Sequence, residues 1–142
     1  MNKKLQDKIK LFRLLHVINH IYISETGELF KDEPNNFSGK CLWWYKNGQL
    51  EYETPYVNGN QHGLRRGWHE NGQLWYETPY VNGNQHGLRR YWHSNGQLQY
   101  ETPYVNGKEH GLQRCWYDNE QLSSETPYKN NRPCGAKIVF EY

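Results

Sequence analysis

Tyr52-Glu53-Thr54-Pro55-Tyr56-Val57-Asn58-Gly59-Asn60-Gln61-His62-Gly63-Leu64-Arg65-Arg66 recurs without a change as Tyr76 to Arg90. The offset is 24 residues, and that period organises most of the chain. Asn-Gly-Gln-Leu begins at Asn47, Asn71 and Asn95, with a decayed Asn-Glu-Gln-Leu at Asn119. Glu-Thr-Pro-Tyr begins at Glu53, Glu77, Glu101 and Glu125, and His-Gly-Leu at His62, His86 and His110. The copies at the two ends are degraded. Upstream, Gly27-Glu28-Leu29 stands for the Asn-Gly-Gln-Leu step, Glu33-Pro34 for the Glu-Thr-Pro step and Ser38-Gly39 for His-Gly. Downstream, Cys134-Gly135 replaces His-Gly, and Phe140 falls in the register of Trp44, Trp68, Trp92 and Trp116. Degraded end copies are expected where terminal repeats act as caps.

Each unit reads as a β-hairpin. One strand runs from Leu64 to His69, the chain turns at Asn71-Gly72, and a second strand runs from Leu74 to Tyr80. Asn-Gly between aromatic-rich runs signals a two-residue type I′ turn, which needs positive φ at both central residues. A second Asn-Gly (Asn82-Gly83) and then His86-Gly87 lead into the next unit. Pro55, Pro79, Pro103 and Pro127 lack an amide N–H and are expected at strand ends or bulges. Recurrent Gly and Pro argue against helix in this region. Residues 22–142 therefore form about five hairpin units.

The pattern W-(Y/H)-x-N-G-Q-L-x-x-E-x-x-Y-x-N-G-x-x-H-G resembles the MORN-repeat family, in the variant of bacterial YwqK-type antitoxins and of large DNA viruses. The resemblance implies a mainly β fold, a single-layer curved antiparallel sheet of stacked hairpins. It also implies a binding surface rather than an active site. Residues 1–20 have no counterpart in the repeat, so the expected organisation is an N-terminal helical segment, 1–20, followed by a repeat domain, 21–142.

Composition agrees with a thin structure. Only 35% of residues are hydrophobic, yet 15% are aromatic, with 12 Tyr and 6 Trp. A two-layer core would need more aliphatic residues, and a disordered chain would have fewer rings. Net charge is +2, too small to indicate nucleic acid. Cys41, Cys115 and Cys134 are scattered, with no C-x-x-C pair to suggest zinc or a disulfide framework. No signal peptide or membrane span is read from the sequence, so the expected location is cytoplasmic.

Residues 3–20 carry Leu5, Ile9, Phe12 and His16 on one helical stripe, widened by Leu11, Leu14, Leu15 and Ile18. Lys3, Lys4, Lys8, Lys10 and Arg13 oppose Asp7 alone. Three roles are open for this helix: a cap on the exposed edge of the first hairpin, a partner-binding or dimerising element, or a basic helix lying on an anionic membrane.

Strict alternation along each strand divides the repeat into two faces. Trp44/68/92/116, Leu50/74/98/122, Tyr56/80/104/128 and Arg66/90/114 barely change between copies. They are expected to share one packing face, with cation–π pairs beside the Trp ladder. The other face varies, and variable positions are free to recognise a partner. The candidate protein-binding residues are Trp43, Tyr45, Arg65, His69, Trp75, Arg89, Tyr91, His93, Gln113 and Tyr117. Large aromatics and Arg are favoured interface anchors.

No catalytic, cofactor-binding or metal-binding residue is assigned. His62, His86 and His110 occur once per unit, and two strand spacings separate them by roughly 9–10 Å, too far for shared metal coordination. A His–Gly turn hydrogen-bonded to a neighbouring backbone group is the expected role. Glu53, Glu77, Glu101 and Glu125 are expected to offset Arg or cap turns rather than act as acid–base pairs. No phosphate loop, G-x-S-x-G or H-E-x-x-H occurs. The expected function is thus non-enzymatic protein binding that masks or neutralises a partner, such as a toxin or a defence enzyme, with no small-molecule substrate. Membrane association through residues 1–20 is the alternative, and nucleic-acid binding or mimicry a weaker one. A homodimer is compatible with all three.

Overall fold

The structure is a computed structural model that describes residues 3–16 and 18–141. It begins with helix α1 (Lys3–His16). The helix is shorter than the apolar stripe suggests. His20-Ile21-Tyr22-Ile23 alternates with period two, and β1 (His20–Ser24) takes these residues into the sheet, with Ile21 and Ile23 buried. Strand geometry satisfies that alternation, whereas helix would scatter it over both sides. Val17 lies outside the described residues.

The remaining strands are β2 (Leu29–Phe30), β3 (Gly39–Trp44), β4 (Leu50–Val57), β5 (Asn60–Gln61), β6 (Gly63–Trp68), β7 (Leu74–Val81), β8 (Asn84–Gln85), β9 (Gly87–Trp92), β10 (Leu98–Val105), β11 (Lys108–Glu109), β12 (Gly111–Trp116), β13 (Leu122–Lys129), β14 (Arg132–Pro133) and β15 (Ile138–Val139). They form one antiparallel sheet in the order β14-β13-β12-β10-β9-β7-β6-β4-β3-β1-β2, and the short strands β5, β8, β11 and β15 pair beside β4, β7, β10 and β13. Four complete hairpins (β3–β4, β6–β7, β9–β10, β12–β13) make a single curved layer, with degraded units at both ends, as the repeat predicts. At the downstream end Phe140 takes the expected register: its amide donates to the Ser123 carbonyl at 2.9 Å.

The turn chemistry is the reverse of the expectation. In Asn71-Gly72 only Gly72 has positive φ (+85°), so the hairpin turn is not type I′. Gly72 N–H donates to the His69 carbonyl at 2.8 Å, and His69 N–H to the Gln73 carbonyl at 2.8 Å, the pattern of a longer loop closed by a left-handed glycine. Asn71 contributes through its side chain, whose Oδ1 accepts from Gln73 N–H at 3.0 Å. Type I′ geometry appears at the second Asn-Gly instead. Asn82 (φ +48°) and Gly83 (φ +81°) are both left-handed, joining β7 to β8.

The longer hairpin loop leaves one residue too many in the second strand. Gly67 pairs with Tyr76, but Trp68 pairs with Leu74, so Trp75 is extra. The same shift occurs in the other hairpins, making Glu51, Gln99 and Ser123 the extra residues. A bulge of this kind flips the alternation beyond it. Leu74 therefore stays beside Trp68, but Tyr76, Thr78 and Tyr80 move to the opposite face. The expected packing face is corrected accordingly: the Tyr56/80/104/128 column does not share a face with the Trp ladder.

One face carries the Trp and Leu columns and a charge ladder. Register places Glu53, Arg66, Glu77, Arg90, Glu101, Arg114 and Glu125 side by side across the sheet. Arg90 lies 3.4 Å from Glu77 and 3.2 Å from Glu101, and Arg114 lies 3.2 Å from Glu101 and 2.8 Å from Glu125. Glu77, Glu101 and Glu125 thus offset Arg, as expected, while Glu53 is paired with Lys40 at 3.1 Å. The cation–π pairs expected for Arg66, Arg90 and Arg114 are replaced by these ion pairs, because alternating charges directly opposite one another are the better cross-strand match.

The packed core sits at the upstream end of this same face. Ile9 of α1 is buried with Ile21, Ile23, Leu42 and Trp44, and Leu5, Phe12, Ile18, Leu29 and Leu50 pack around them. The helix covers the face of the first hairpin rather than its edge. The reason is compositional: the first unit has Leu42 where later units have Arg66, Arg90 and Arg114, so only there is the face apolar enough to take a helix. The Arg13 guanidinium lies 4.2 Å over the Trp44 ring. The outer side of α1 leaves Leu11, Leu14 and Leu15 exposed.

Candidate binding face

The face opposite the charge ladder is built in three rows. The first row runs across the sheet through His20, Trp43, Tyr52, Gly67, Tyr76, Tyr91, Tyr100, Cys115 and Ser124. Its rings pack on one another. Tyr76 stacks on Tyr91 with centroids 5.5 Å apart, and Tyr91 on Tyr100 at 4.6 Å. At the upstream end His20 stacks on Trp43 at 4.3 Å. Gly67 is the one small member between them, and a Cβ there would run into the Tyr76 ring. Tyr52 and Tyr76 close over the glycine with centroids 6.0 Å apart. Trp75, the extra residue of its bulge, joins them edge-on, 5.2 Å from Tyr76 and 6.1 Å from Tyr91.

The second row alternates Cys41, Thr54, Arg65, Thr78, Arg89, Thr102, Gln113 and Thr126. Thr54, Thr78 and Thr102 are buried although no second layer covers them. The tall Tyr and Arg neighbours do the covering. The Arg65 guanidinium lies 5.6 Å from the Tyr76 ring centroid and 5.9 Å from that of Tyr52. Arg89 lies 4.9 Å from Tyr104 and 5.6 Å from Tyr91. The cation–π contacts of the repeat therefore belong to Arg65 and Arg89, not to the arginines of the charge ladder. The third row holds Tyr56, Tyr80, Tyr104 and Tyr128, each opposite a glycine. Burial pushes the Tyr76 and Tyr104 hydroxyls each up to about 12.

Two hollows open on this face. One of 250 Å³ is lined by Tyr52, Arg65, Trp75, Tyr76, Thr78, Tyr80, Gln85, Arg89 and Tyr91. The other, of 580 Å³, lies upstream and shares Tyr52 and Arg65 with the first; it reaches Trp43, Cys41 and Tyr22. Of the candidate residues read from the sequence, Trp43, Arg65, Trp75, Arg89 and Tyr91 line these two hollows.

The other candidates are engaged in the sheet itself. Tyr45 donates from its hydroxyl to the Trp68 carbonyl at 2.7 Å, and Tyr117 to the Phe140 carbonyl at 3.1 Å. His69 Nε2 lies 3.2 Å from the Trp92 carbonyl, and His93 Nε2 3.1 Å from Asp118 Oδ1. At Tyr45, His69 and Tyr117 this column ties one unit to the next, whether by Tyr or by His, which explains why it tolerates exchange. Gln113 donates to Thr102 Oγ1 at 3.1 Å. Variation between copies was thus a mixed signal: it marked solvent-facing residues and interchangeable tethers alike.

Strict alternation overlooked Tyr52, Tyr76, Thr78, Tyr80 and Gln85, which all line the smaller hollow. A signal for them was present. Arg66/90/114 and Glu77/101/125 recur in step, and cross-strand charge pairing needs them on one face. Strict alternation from Leu74 separates them, so a bulge had to intervene.

The repeated histidines lie at unit junctions. His62 Nδ1 is 3.2 Å from Asn82 Oδ1 and 3.4 Å from Asn82 N, and His62 N–H donates to the Pro55 carbonyl at 3.0 Å. His86 repeats this arrangement on Asn106. Among the described residues no three His, Cys, Asp or Glu side chains are grouped to hold a metal ion. Burial pushes the Cys41 thiol up to about 11.

A single-layer sheet of stacked hairpins, tied unit to unit by side-chain hydrogen bonds and a charge ladder, defines a hairpin-repeat module. The family model of the MORN repeat variant matches residues 37–58, 61–82, 85–106 and 109–130. The chain belongs to this family, a family of binding repeats. No curated protein and no solved structure matches it.

Proposed function

We propose that the chain is a non-enzymatic module that binds another protein through the face carrying Trp43, Arg65, Trp75, Arg89 and Tyr91, and masks or neutralises that partner as an antitoxin or anti-defence inhibitor would. The observation that carries this reading is the pair of adjoining hollows, 250 and 580 Å³, lined mainly by Tyr, Trp and Arg on one open sheet face. These residue types dominate interface energetics because they bury large area at small entropic cost. The masking role rests on the resemblance to antitoxin relatives.

The test is co-purification of the tagged chain with its partner from the source cell, followed by reconstitution of the purified pair. Trp75→Ala is expected to weaken the complex by about 30-fold or more, as loss of an interface anchor does. Leu88→Ala, an exposed position on the charge-ladder face, should leave it unchanged. A chain that purifies alone, or a complex indifferent to Trp75→Ala, overturns the reading.

A second reading, attachment to an anionic membrane surface, is supported by the outer side of α1, where Leu11, Leu14 and Leu15 are 58%, 68% and 70% exposed on a helix rich in lysine. No helix among the described residues is long and apolar enough to cross a membrane. On this reading Leu14→Asp with Leu15→Asp abolishes sedimentation with phosphatidylserine vesicles and leaves the melting temperature unchanged, since neither side chain packs in the core. Equal sedimentation of variant and parent would rule it out.

A further inference from the structure

The two faces of the sheet treat their arginines differently. On the charge-ladder face Arg66, Arg90 and Arg114 each have a carboxylate within 4 Å. On the opposite face Arg65 and Arg89 make no ion pair among the described residues. Their Nε atoms are shielded from solvent and have no hydrogen-bond acceptor. The hollow between them holds two guanidinium groups and no Asp or Glu in its lining. A guanidinium taken partly out of water without an anion is an unfavourable arrangement that an incoming anion relieves.

The neighbouring units mark this site as local. Downstream, the Arg65/Arg89 column becomes Gln113, which is satisfied by Thr102, and Gln85 is replaced by Glu109, which accepts from the Tyr104 hydroxyl at 2.9 Å. Upstream the column is the buried Cys41, and Glu51 lines the adjoining hollow. Within this row of the face, arginine without a carboxylate partner is therefore confined to the two central units.

We propose that this hollow takes an acidic segment of a protein partner, with one carboxylate on Arg65 and another on Arg89. The inference rests on the protein-binding reading and names the chemistry of the partner. Two strand spacings set the arginines roughly 9–10 Å apart, so the segment presents two carboxylates at about that separation. Nucleic acid also pairs phosphates with arginine, but it needs free ring faces on which bases stack. Here the central ring offers no such face: Tyr91 is stacked on both sides, by Tyr76 and Tyr100. A tyrosine hydroxyl is protonated at neutral pH and can donate, which suits an acceptor-only carboxylate.

The experiment is fluorescence anisotropy with a labelled oligoglutamate peptide on the full chain, and labelled oligothymidylate in parallel. Oligoglutamate is expected to bind with an affinity that falls as salt rises. Arg65→Gln with Arg89→Gln should weaken it by roughly 30-fold. Gln85→Glu should do the same with the fold intact, because Glu109 already occupies the equivalent position one unit on and thereby provides the internal carboxylate. Lys46→Gln with Lys108→Gln removes the same charge from two exposed positions, a turn and the short strand β11, and should have little effect. No binding by the parent chain, an equal loss in the lysine variant, or tighter binding of oligothymidylate would overturn the proposal. A stable partner complex that survives both hollow variants would overturn this inference alone and leave the protein-binding reading standing.

Discussion

Trp44→Ala is expected to lower stability by about 3–5 kcal/mol, the usual cost of removing a large aromatic from a packed site. The same change at Trp92 should cost only roughly 1–2 kcal/mol. The two tryptophans occupy the same position of the repeat, but only Trp44 lies beneath the helix. It is 9% exposed, belongs to the cluster of Ile9, Ile21, Ile23 and Leu42, and carries the Arg13 guanidinium on its ring. Trp92 is half-buried on an open face. Truncating Trp44 removes the surface on which α1 rests, so the loss includes part of the helix docking as well as the cavity. Urea denaturation of the two variants against the parent checks this. Because repeat units contact only their neighbours, unfolding should begin at the upstream end in Trp44→Ala, seen as early loss of helical ellipticity. Equal destabilisation by the two substitutions would mean that the helix adds nothing to Trp44.

Gly39→Ala is the second large effect, about 3 kcal/mol or more. Gly39 sits at φ +151°, a conformation L residues rarely adopt, and a Cβ there would collide with the Ile23 backbone carbonyl and crowd the Phe37 ring. A backbone carbonyl paired in a strand has no room to give. Accommodation requires β1 to separate from β3, where Ser24 is opposite Gly39 and Ile23 opposite Lys40. That separation carries Ile21 and Ile23 out of the core. Gly63→Ala is the comparison. Gly63 also has positive φ, but its Cβ would meet only a Pro55 ring carbon at 3.2 Å, which can shift by tenths of an ångström. About 1–2 kcal/mol is expected there. Hydrogen exchange at the Ile21 and Ile23 amides should accelerate in Gly39→Ala and remain slow in Gly63→Ala. Protection of those amides in Gly39→Ala would show that the first strand tolerates the methyl group.

The repeat and its hairpins were legible because they depend on local signals: Asn-Gly turns, alternating apolar residues and a fixed spacing. Which Asn-Gly forms which turn was not legible from the dipeptide alone. Both Asn71-Gly72 and Asn82-Gly83 read alike, yet only the second is left-handed at both residues. The difference lies in how many residues each loop must span between paired strands.

That single difference propagated to the binding face. A longer loop at Asn71-Gly72 makes Trp75 extra, and one extra residue reverses the side of every residue after it. The sequence by itself determined the period, the hairpin class, the capped ends and the Glu–Arg balance, since these follow from composition and short-range pattern. Only the tertiary structure decided which residues share a face, because strand register is a property of two strands and the loop between them. It also decided which of four equivalent tryptophans is buried, because that depends on where a distant helix lands. And it separated Arg65 and Arg89, without carboxylate partners, from Arg66 and Arg90, which are paired, although adjacent letters in the chain distinguish neither.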